Sequence, residues 1–521
     1  MNITPITLEV FKNKFASVAE EMGMALCRAA YSPNIKERRD FSCAVFDASG
    51  DMVAQAAHIP VHLGSMPLSV AAVIEAVDLR PGDMAMLNDP FKGGTHLPDI
   101  TLVAPVYAGG DTPLFYVASR AHHADVGGMA AGSMPLSTSI FQEGLVIPPV
   151  KIVAGGEIVT DVMNLFLANV RTPNERQGDF SAQIMANATG VARMEALVAA
   201  NGRETVTTMA TALTDYAERL MRAAIAAIPD GSYAAEDFLD DDGAGAHDLA
   251  VRLTLSVADG EAELDFSDSD PQTAGCVNAV RAIALSAALY VFRALAGGAM
   301  PTNAGCLRPI TVTTKRGSLL DAAFPAAVAG GNVETSQRIV DVILAALATA
   351  LPGAVPAASQ GTMNNVAMGG RDPRSKEPFT YYETLAGGAG AHAGGHGQSA
   401  VHSHMTNTRN TPVEALEYAY PLRVTRYALR AGSGGPGAHR GGEGLVREVE
   451  ALAPMEVTVL SERRLRGPWG LDGGGEGAPG VNTVTRRTGE MAMPSKFHVK
   501  LRPGDRLRLE TPGGGGYGPV S

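Results

Sequence analysis

Apolar side chains recur at every third or fourth position over residues 8–29, and this spacing predicts an amphipathic helix. A second helix is predicted over residues 63–77, where it ends before the turn-forming run Arg80-Pro81-Gly82-Asp83. Around it, short apolar runs predict strands at residues 41–46, 84–87, 100–107 and 114–118. The first part of the chain is therefore expected to combine helices with a sheet.

Farther along the chain, the pattern alternates between long helices and strands. Helices are predicted at residues 180–228, 279–295 and 336–351. Gly190 and the pair Asn201-Gly202 are expected to divide the first of these regions into two or three helices. Alternating apolar positions over residues 251–266 predict a β-hairpin, and from Tyr418 onward short strands alternate with glycine-containing turns.

These elements predict an α+β fold. We expect a helix-rich N-terminal part at residues 1–229, a mixed α/β middle part at 230–415 and a β-rich C-terminal part at 416–521. Neither an internal repeat nor a charge-rich linker separates the parts, so we expect them to pack against one another as one body.

Composition narrows the class of protein. The 521 residues carry 42 Lys+Arg and 54 Asp+Glu, a net charge of 42 − 54 = −12, which argues against nucleic acid or an anionic membrane as the main partner. The N-terminus shows neither the basic nor the apolar region of a secretory signal, and no apolar run reaches the ~20 residues of a membrane-spanning helix. We therefore expect a soluble cytoplasmic protein with reduced cysteines.

Glycine is unusually abundant, at 59 residues, and glycine-rich loops can bind phosphate groups. Residues 432–437 and 513–518 match the spacing GxGxxG, but the pattern predicts no helix after either run. A P-loop of the form GxxxxGK[ST] is absent from the sequence. Since the dinucleotide motif depends on the helix that follows it, we interpret these glycines as turns and expect no nucleotide site in this chain.

A third glycine cluster, residues 387–397, contains His392 and His396 and leads into His402 and His404. A stretch with so few bulky side chains either forms a surface loop or lets its backbone approach a ligand. Long ordered loops are usually functional, so an active-site loop is the favoured interpretation, while a surface loop stays open.

Histidines and carboxylates are grouped in the first part of the chain. His96 and Asp99 lie three residues apart in a loop rich in Gly and Pro, and His122 follows the predicted strand pair. Loops at the same end of adjacent strands can bring these side chains together, and Asp40 could add a fourth ligand. Such a mixed nitrogen and oxygen set suits Zn²⁺, Mn²⁺ or Fe²⁺. A His-x-x-Asp pair also arises by chance, so spacing alone leaves a metal site and ordinary loops both open.

Several longer motifs are distributed along nearly the whole chain. They include Arg38-Arg39-Asp40-Phe41-Ser42, Ala57-His58-Ile59-Pro60-Val61-His62, Gly93-Gly94-Thr95-His96-Leu97-Pro98-Asp99, Ala121-His122-His123-Ala124-Asp125, Gly331-Asn332-Val333-Glu334-Thr335-Ser336 and His402-Ser403-His404-Met405-Thr406-Asn407-Thr408. In these motifs the chain resembles the hydantoinase B/oxoprolinase family.

The resemblance implies one half of a two-component, ATP-dependent enzyme. A separate A-type subunit that binds ATP would phosphorylate a cyclic substrate, and this B-type subunit would then open the ring of a hydantoin, 5-oxoproline or a lactam. One alternative is a subunit of an ATP-dependent, biotin-independent ketone carboxylase. Another is a non-catalytic scaffold for the A-type subunit, against which the intact set of His96, Asp99 and His122 argues.

The same resemblance implies a divalent metal, Zn, Mn or Fe, bound by Asp40, His96, Asp99 and His122. His123 is the competing choice for the last of these ligands. A metal-bound water would attack the activated carbonyl, with His62 or His123 as candidate proton carriers. We therefore expect a hetero-oligomer in which ATP binds to the partner subunit.

Overall fold

A computed structural model describes residues 3–56, 59–298 and 300–520. His58, part of one family motif, therefore lies outside the described residues. Helices make up 31% and strands 27%, and the strands form several sheets within a single body, so the predicted α+β class is confirmed. Within the described ranges, no helix combines the length and the apolar character needed to cross a membrane.

Helices and strands alternate along the chain, and we number each type in chain order. The helices are α1 (Pro5–Ala29), α2 (Pro33–Lys36), α3 (Met66–Ala76), α4 (Ile140–Glu143), α5 (Thr160–Leu167), α6 (Pro173–Asn201), α7 (Arg203–Ile225), α8 (Arg281–Ala296), α9 (Ser336–Ala350) and α10 (Val413–Ala419). The strands are β1 (Phe41–Asp47), β2 (Met52–Gln55), β3 (Met84–Leu87), β4 (Asp99–Val106), β5 (Phe115–His122), β6 (Val150–Ala154), β7 (Glu157–Ile158), β8 (Gly231–Asp241), β9 (His247–Ala258), β10 (Glu261–Asp265), β11 (Ile310–Thr313), β12 (Asn365–Arg371), β13 (Pro378–Glu383), β14 (Leu422–Arg430), β15 (Gly444–Ala451), β16 (Met455–Leu460), β17 (Val481–Arg486), β18 (Gly489–Met493), β19 (Lys496–Leu501) and β20 (Arg506–Glu510).

The first helix, α1, begins at a capped N-terminus. Thr4 and Thr7 exchange side-chain and backbone hydrogen bonds, and Pro5 occupies the first helical position. The buried residues of α1 repeat at helical spacing: Phe11, Phe15, Val18, Ala19, Met22, Gly23 and Leu26. The predicted amphipathic helix is therefore confirmed, and much of its buried face contacts α6.

The first sheet has seven strands in the order β2-β1-β5-β4-β3-β6-β7. All of its strand pairs are antiparallel, and the predicted strand pair at its centre, β4 and β5, is confirmed. In this pair Asp99 lies directly opposite His122. The first residue of β4 and the last residue of β5 therefore lie side by side at one end of these two central strands.

The long helix α6 packs on this sheet, and the predicted break at Gly190 is wrong. A Cβ atom at Gly190 would lie 2.5 Å from the Met22 sulfur, so this glycine allows α1 and α6 to approach closely. The predicted division at Gly202 is confirmed, since this residue has φ 83° and separates α6 from α7. On the sheet side, the Gln183 amide donates a hydrogen bond to the Ile100 carbonyl at 3.1 Å.

Three more sheets follow along the chain. Their strand orders are β11-β10-β9-β8, β13-β12-β16-β19 and β14-β15-β20-β17-β18. The predicted hairpin is confirmed as β9 and β10. The second of these three sheets pairs β12 with β16, strands that lie on either side of the expected boundary at residue 415. The division into three parts stays a prediction.

A buried network of charges joins the middle of the chain to its C-terminal part. Arg338 on α9 contacts Asp237 on β8 and Asp341, each at 3.0 Å. Arg463, which follows β16, also contacts both carboxylates, at 2.7 Å in the case of Asp341. Each of these side chains is at most 11% exposed, so the pairs are shielded from water.

Glycines of the C-terminal half form what we call the glycine bundle, four stretches of mostly irregular backbone in mutual contact. Its members are residues 387–397, 432–444, 467–478 and 511–518. The backbone NH of Gly442 donates to the Ala389 carbonyl at 2.9 Å, and that of Gly514 donates to the Gly442 carbonyl at 2.9 Å. Gly435 in turn donates to the Gly514 carbonyl at 2.8 Å, so the stretches are linked side by side.

Close backbone contact explains why these positions are glycine. A Cβ atom on Gly514 would lie 1.9 Å from the Ala389 oxygen, although its φ lies outside the left-handed region. The interpretation as turns holds for Gly432, with φ 79°, but is wrong for Gly514 and most of its neighbours. Neither GxGxxG run is followed by a helix in the described chain.

Candidate metal centre

Three of the predicted ligands converge at one end of the central strands β4 and β5 of the first sheet. Asp99 is the first residue of β4, His122 is the last residue of β5, and the two are opposite each other. His96 lies in the loop before β4. In this loop Asp89 caps a short 3-10 turn that ends at Gly93, whose φ of 91° favours glycine.

The donor atoms of these three residues are close together and buried. One donor atom from each of His96, Asp99 and His122 lies within 4.8 Å of the others. The Asp99 carboxylate is 3.3 Å from His96 Nε2 through Oδ2 and 3.4 Å from His122 Nδ1 through Oδ1. Among the described residues, both ring nitrogens of His96 and Nε2 of His122 find no hydrogen-bond partner. Buried polar atoms are normally bonded, so these free nitrogens fit a metal ion.

The protonation states also suit a metal. Burial alone would raise the pKa of the Asp99 carboxyl, but the imidazoles of His96 and His62 outweigh it and hold that pKa well below its usual range. Burial lowers the pKa of His122, although Asp99 acts in the opposite direction. An ionised Asp99 and a neutral His122 are the forms of these two groups that bind a divalent cation.

Asp40 and His62 line a small cavity at the same place, about 20 Å³ in volume, which is room for an ion or one water molecule. Asp40 is not in the close group of three donors, and its carboxylate lies 3.7 Å from the Arg38 guanidinium. His62 is held at both ring nitrogens, with Nδ1 2.8 Å from Ser42 Oγ and Nε2 3.3 Å from Asp99 Oδ2. Asp40 as a ligand and His62 as a proton carrier stay predictions.

The structure places His123 away from this cavity. Its Nε2 lies 2.8 Å from Gln183 Oε1 on α6, and its ring packs against Phe180 with centroids 4.8 Å apart. Burial and, next, the charge of Arg176 lower the pKa of His123 to about 4. Neighbouring residues of an extended chain point to opposite sides, which separates His123 from His122. The geometry therefore favours His122 as the ligand, and a role of His123 in proton transfer stays a prediction.

The opposite wall of the cavity comes from distant parts of the chain. Tyr382 on β13, Asn332 in the π-helical turn before α9, and Thr406 and Thr408 all line it. The Asn332 amide lies 3.5 Å from Asp99 Oδ2. Sequence motifs contained the asparagine and the threonines without assigning them a role, whereas no motif pointed to Tyr382.

The His/Gly loop reaches the cavity only near its end. His392 and His396 are exposed within the glycine bundle, and none of residues 387–397 lines the cavity. His404 is buried with Nε2 3.7 Å from an Asp341 oxygen, and Met405, next in the chain, lines the cavity. Backbone packing explains the glycines of residues 387–397, and an active-site role for the loop that runs on to His404 stays a prediction.

Comparisons with known proteins agree with the motifs. A family model described as Hydantoinase B/oxoprolinase matches residues 4–520. A 5-oxoprolinase from Dictyostelium discoideum is 40% identical over 527 residues, which cover 99% of this chain and 40% of the relative. A putative D-/L-hydantoinase B-type subunit from Pseudomonas sp. (strain NS671) is 32% identical over 545 residues, covering 99% of this chain and 90% of the relative.

A solved structure shares the fold. The crystal structure of an ATP-dependent caprolactamase from Pseudomonas jessenii superposes with a TM-score of 0.92 at 29% identity, covering 100% of this chain and 92% of that one. The chain spans only about two fifths of the length of the 5-oxoprolinases that it matches. It spans about nine tenths of the hydantoinase polypeptide.

Proposed function

The chain belongs to the hydantoinase B/oxoprolinase family, and on that premise we propose that it is the B-type subunit of a two-component, ATP-dependent enzyme that opens a cyclic amide or imide. One observation carries the proposal: the buried group of His96, Asp99 and His122 has imidazole nitrogens without hydrogen-bond partners in the described chain. A purely supporting protein would gain nothing from burying unsatisfied nitrogens, whereas a metal-dependent enzyme needs them.

The substrate class follows from what the similar proteins share. A 5-oxoprolinase, a hydantoinase polypeptide and a caprolactamase are all named for ring compounds that contain an amide bond. We therefore propose hydantoins, 5-oxoproline or lactams as substrates. Resonance makes such a carbonyl a poor electrophile, and phosphorylation of its oxygen removes that resonance. The net reaction consumes two waters, one added across the ring C–N bond and one accounted for in the release of the transferred phosphoryl group as phosphate, while ATP becomes ADP.

ATP would bind to a separate A-type subunit. The present sequence contains no P-loop, and its GxGxxG runs belong to the glycine bundle, where backbone fills the space that a nucleotide would need. The 5-oxoprolinases are more than twice as long as this chain, which leaves room in them for an ATP-dependent part. We propose that this part is a second polypeptide here, so that the enzyme is a hetero-oligomer.

Within this subunit, His96, Asp99 and His122, with Asp40 at the cavity, would hold Zn²⁺, Mn²⁺ or Fe²⁺. A bound divalent ion would supply Lewis acidity and lower the pKa of water at the site. His62 lines the cavity and contacts Asp99, which supports it as the proton carrier; to accept a proton and return it to the leaving nitrogen, its ring would first give up a contact with Ser42 or Asp99.

The test uses the chain co-purified with its A-type partner. Ring opening of hydantoins, 5-oxoproline and lactams is followed by chromatography with and without ATP, and the metal content is measured by elemental analysis. We expect ring opening only with both subunits and ATP. His96→Ala should lose both metal and activity, whereas the control His247→Ala, at an exposed histidine of β9, should keep them.

Two results would decide against the proposed reaction, and a third would decide against the metal site. Ring opening by this chain alone without ATP would reject the two-component scheme. ATP-dependent consumption of bicarbonate and a ketone, with no ring opening, would instead identify a carboxylase component. If the His96→Ala complex kept full activity and the wild-type complex contained no metal, the metal site would be wrong while the substrate class could still hold.

A further inference from the structure

The orientation of His122 needs an explanation. A metal-binding histidine usually donates its second ring NH to a carboxylate or carbonyl, and this hydrogen bond fixes the ring. In the described chain, His122 contacts Asp99 through Nδ1, but Nε2 has no hydrogen-bond partner. A single contact of one ring nitrogen leaves the tilt of the imidazole undetermined, so a contact with the ring face would complete its orientation.

Tyr382 is the group that faces this imidazole. The two rings are stacked with centroids 4.4 Å apart and planes inclined by only 10°. Both side chains are buried, at 3% exposure for His122 and 2% for Tyr382. A ring face restricts the tilt of the imidazole without using either of its nitrogens. The contact leaves Nδ1 and Nε2 available for Asp99 and for a cation.

Tyr382 is itself fixed at both ends. Its hydroxyl donates to Asn365 Oδ1 at 2.7 Å, and the Asn365 amide donates to Glu334 Oε1 at 2.6 Å. The same Glu334 oxygen accepts the backbone NH of Met363 at 3.1 Å. At the other end, the Arg38 guanidinium donates to the Tyr382 carbonyl at 3.0 Å. The tyrosine ring can therefore act as a rigid wall.

We propose that Tyr382, locked through Asn365 and Glu334, is a positioning residue that holds His122 in the orientation needed to bind a divalent cation together with His96 and Asp99. The inference rests on the proposed function for the identity of the bound group. It goes beyond that function because it assigns part of the metal affinity to the third sheet, which contains none of the proposed ligands.

The experiment compares Tyr382→Phe, Tyr382→Leu and the control Tyr381→Leu in the full chain. Tyr381 is the preceding residue on β13 and is similarly buried, with 4% of its surface exposed. Its ring packs against that of Tyr420, with centroids 5.0 Å apart, within a different hydrophobic cluster. Affinities for Mn²⁺ and Zn²⁺ are measured by isothermal titration calorimetry, and crystal structures are determined without added metal.

We expect Tyr382→Leu to weaken metal binding about 10–100-fold, the usual effect of removing a residue that orients a ligand. Its crystal structure should show the His122 ring rotated or disordered. Tyr382→Phe keeps the stacked ring but loses the hydrogen bond to Asn365, so its metal affinity should lie between those of Tyr382→Leu and wild type. The control Tyr381→Leu should destabilise the fold similarly and leave the affinity unchanged.

These measurements test positioning by Tyr382 separately from the existence of the metal site. If Tyr382→Leu keeps wild-type affinity and the His122 orientation, positioning by Tyr382 is wrong. If Tyr381→Leu weakens binding as much, the effect is general destabilisation and the proposal also fails. If wild type binds neither metal, the proposed metal site fails, and the crystal position of His122 in Tyr382→Leu still decides whether Tyr382 positions it. Should Tyr382→Leu not fold, Tyr382→Met, whose flexible side chain adapts better to the space left by the ring, provides the same comparison.

Discussion

Replacing Gly514 with alanine tests the close packing of the glycine bundle. The added Cβ would lie 1.9 Å from the Ala389 oxygen, whereas real Cβ atoms almost never come within 3.0 Å of another atom. The two backbones must therefore separate by about 1 Å. Gly514 donates to the Gly442 carbonyl at 2.9 Å and accepts from Gly435 at 2.8 Å, and a shift of that size takes both bonds beyond hydrogen-bonding distance.

The expected loss of stability follows from these contacts. Overpacking costs about 1–3 kcal/mol, and each of the two lost backbone hydrogen bonds adds about 0.5–1.5 kcal/mol. The lower entropy of an unfolded chain with alanine offsets about 0.4–1 kcal/mol. We therefore expect Gly514→Ala to reduce the free energy of unfolding by about 3 kcal/mol.

Thermal denaturation followed by fluorescence gives the measurement, and Gly298→Ala is the matched control. Among the described residues, and apart from its chain neighbours, no atom lies within 4 Å of the Cβ position at Gly298, and its φ is outside the left-handed region. Unfolding entropy of ~2.1 cal/mol/K per residue over 521 residues converts about 3 kcal/mol into a fall in apparent Tm of roughly 3 °C, while the control should stay within ~1 °C of wild type. A Gly514→Ala protein that melts together with the control would refute the close packing.

Three further predictions concern the proposed metal site and the buried charges. His96→Ala should abolish Mn²⁺ and Zn²⁺ binding in calorimetric titration, and unchanged binding would place the metal elsewhere. Arg463→Ala leaves the buried carboxylates of Asp237 and Asp341 with one fewer partner, so urea denaturation should show a free energy of unfolding lower by about 3–5 kcal/mol. The control Arg466→Ala removes a half-exposed ion pair and should lower it by only about 0–1 kcal/mol. Burial alone would raise the pKa of Asp237, but Arg338 and Arg463 outweigh it and hold that pKa well below its usual range. Its ionised form therefore adds stability above the ordinary pKa of about 3.9, and this stability is lost as pH falls. The Tm advantage of wild type over Asp237→Asn should shrink below pH ~4, and a constant advantage would contradict this assignment.

The sequence was sufficient to predict much of the fold and the centre of the site. Periodicity located α1, β3 and the strand pair β4 and β5, since each has one apolar face or a short apolar run between turns. Antiparallel pairing of adjacent strands then made the meeting of His96, Asp99 and His122 predictable from connectivity alone, although the nature of any bound ion was not.

Other features depend on contacts that a single sequence does not reveal. Gly190 looked like a helix break, but it is glycine because Met22 of another helix lies against it. Gly514 looked like part of a turn, but it is glycine because Ala389 lies next to it. Tyr382 stacks on His122 from a different sheet, and an isolated tyrosine in a strand is indistinguishable from an ordinary core residue.

The cavity at the candidate metal centre has a consequence for the order in which the chain folds. Asn332 and Asp99, which approach each other there, are 233 residues apart, and the bond from Arg38 to the Tyr382 carbonyl spans 344 residues. Contacts of such long range form after local helices and hairpins, because the cost of closing long loops must be met first. During refolding from denaturant, circular dichroism should therefore recover before metal binding does. A species with native-like secondary structure and no cation affinity should accumulate between the two.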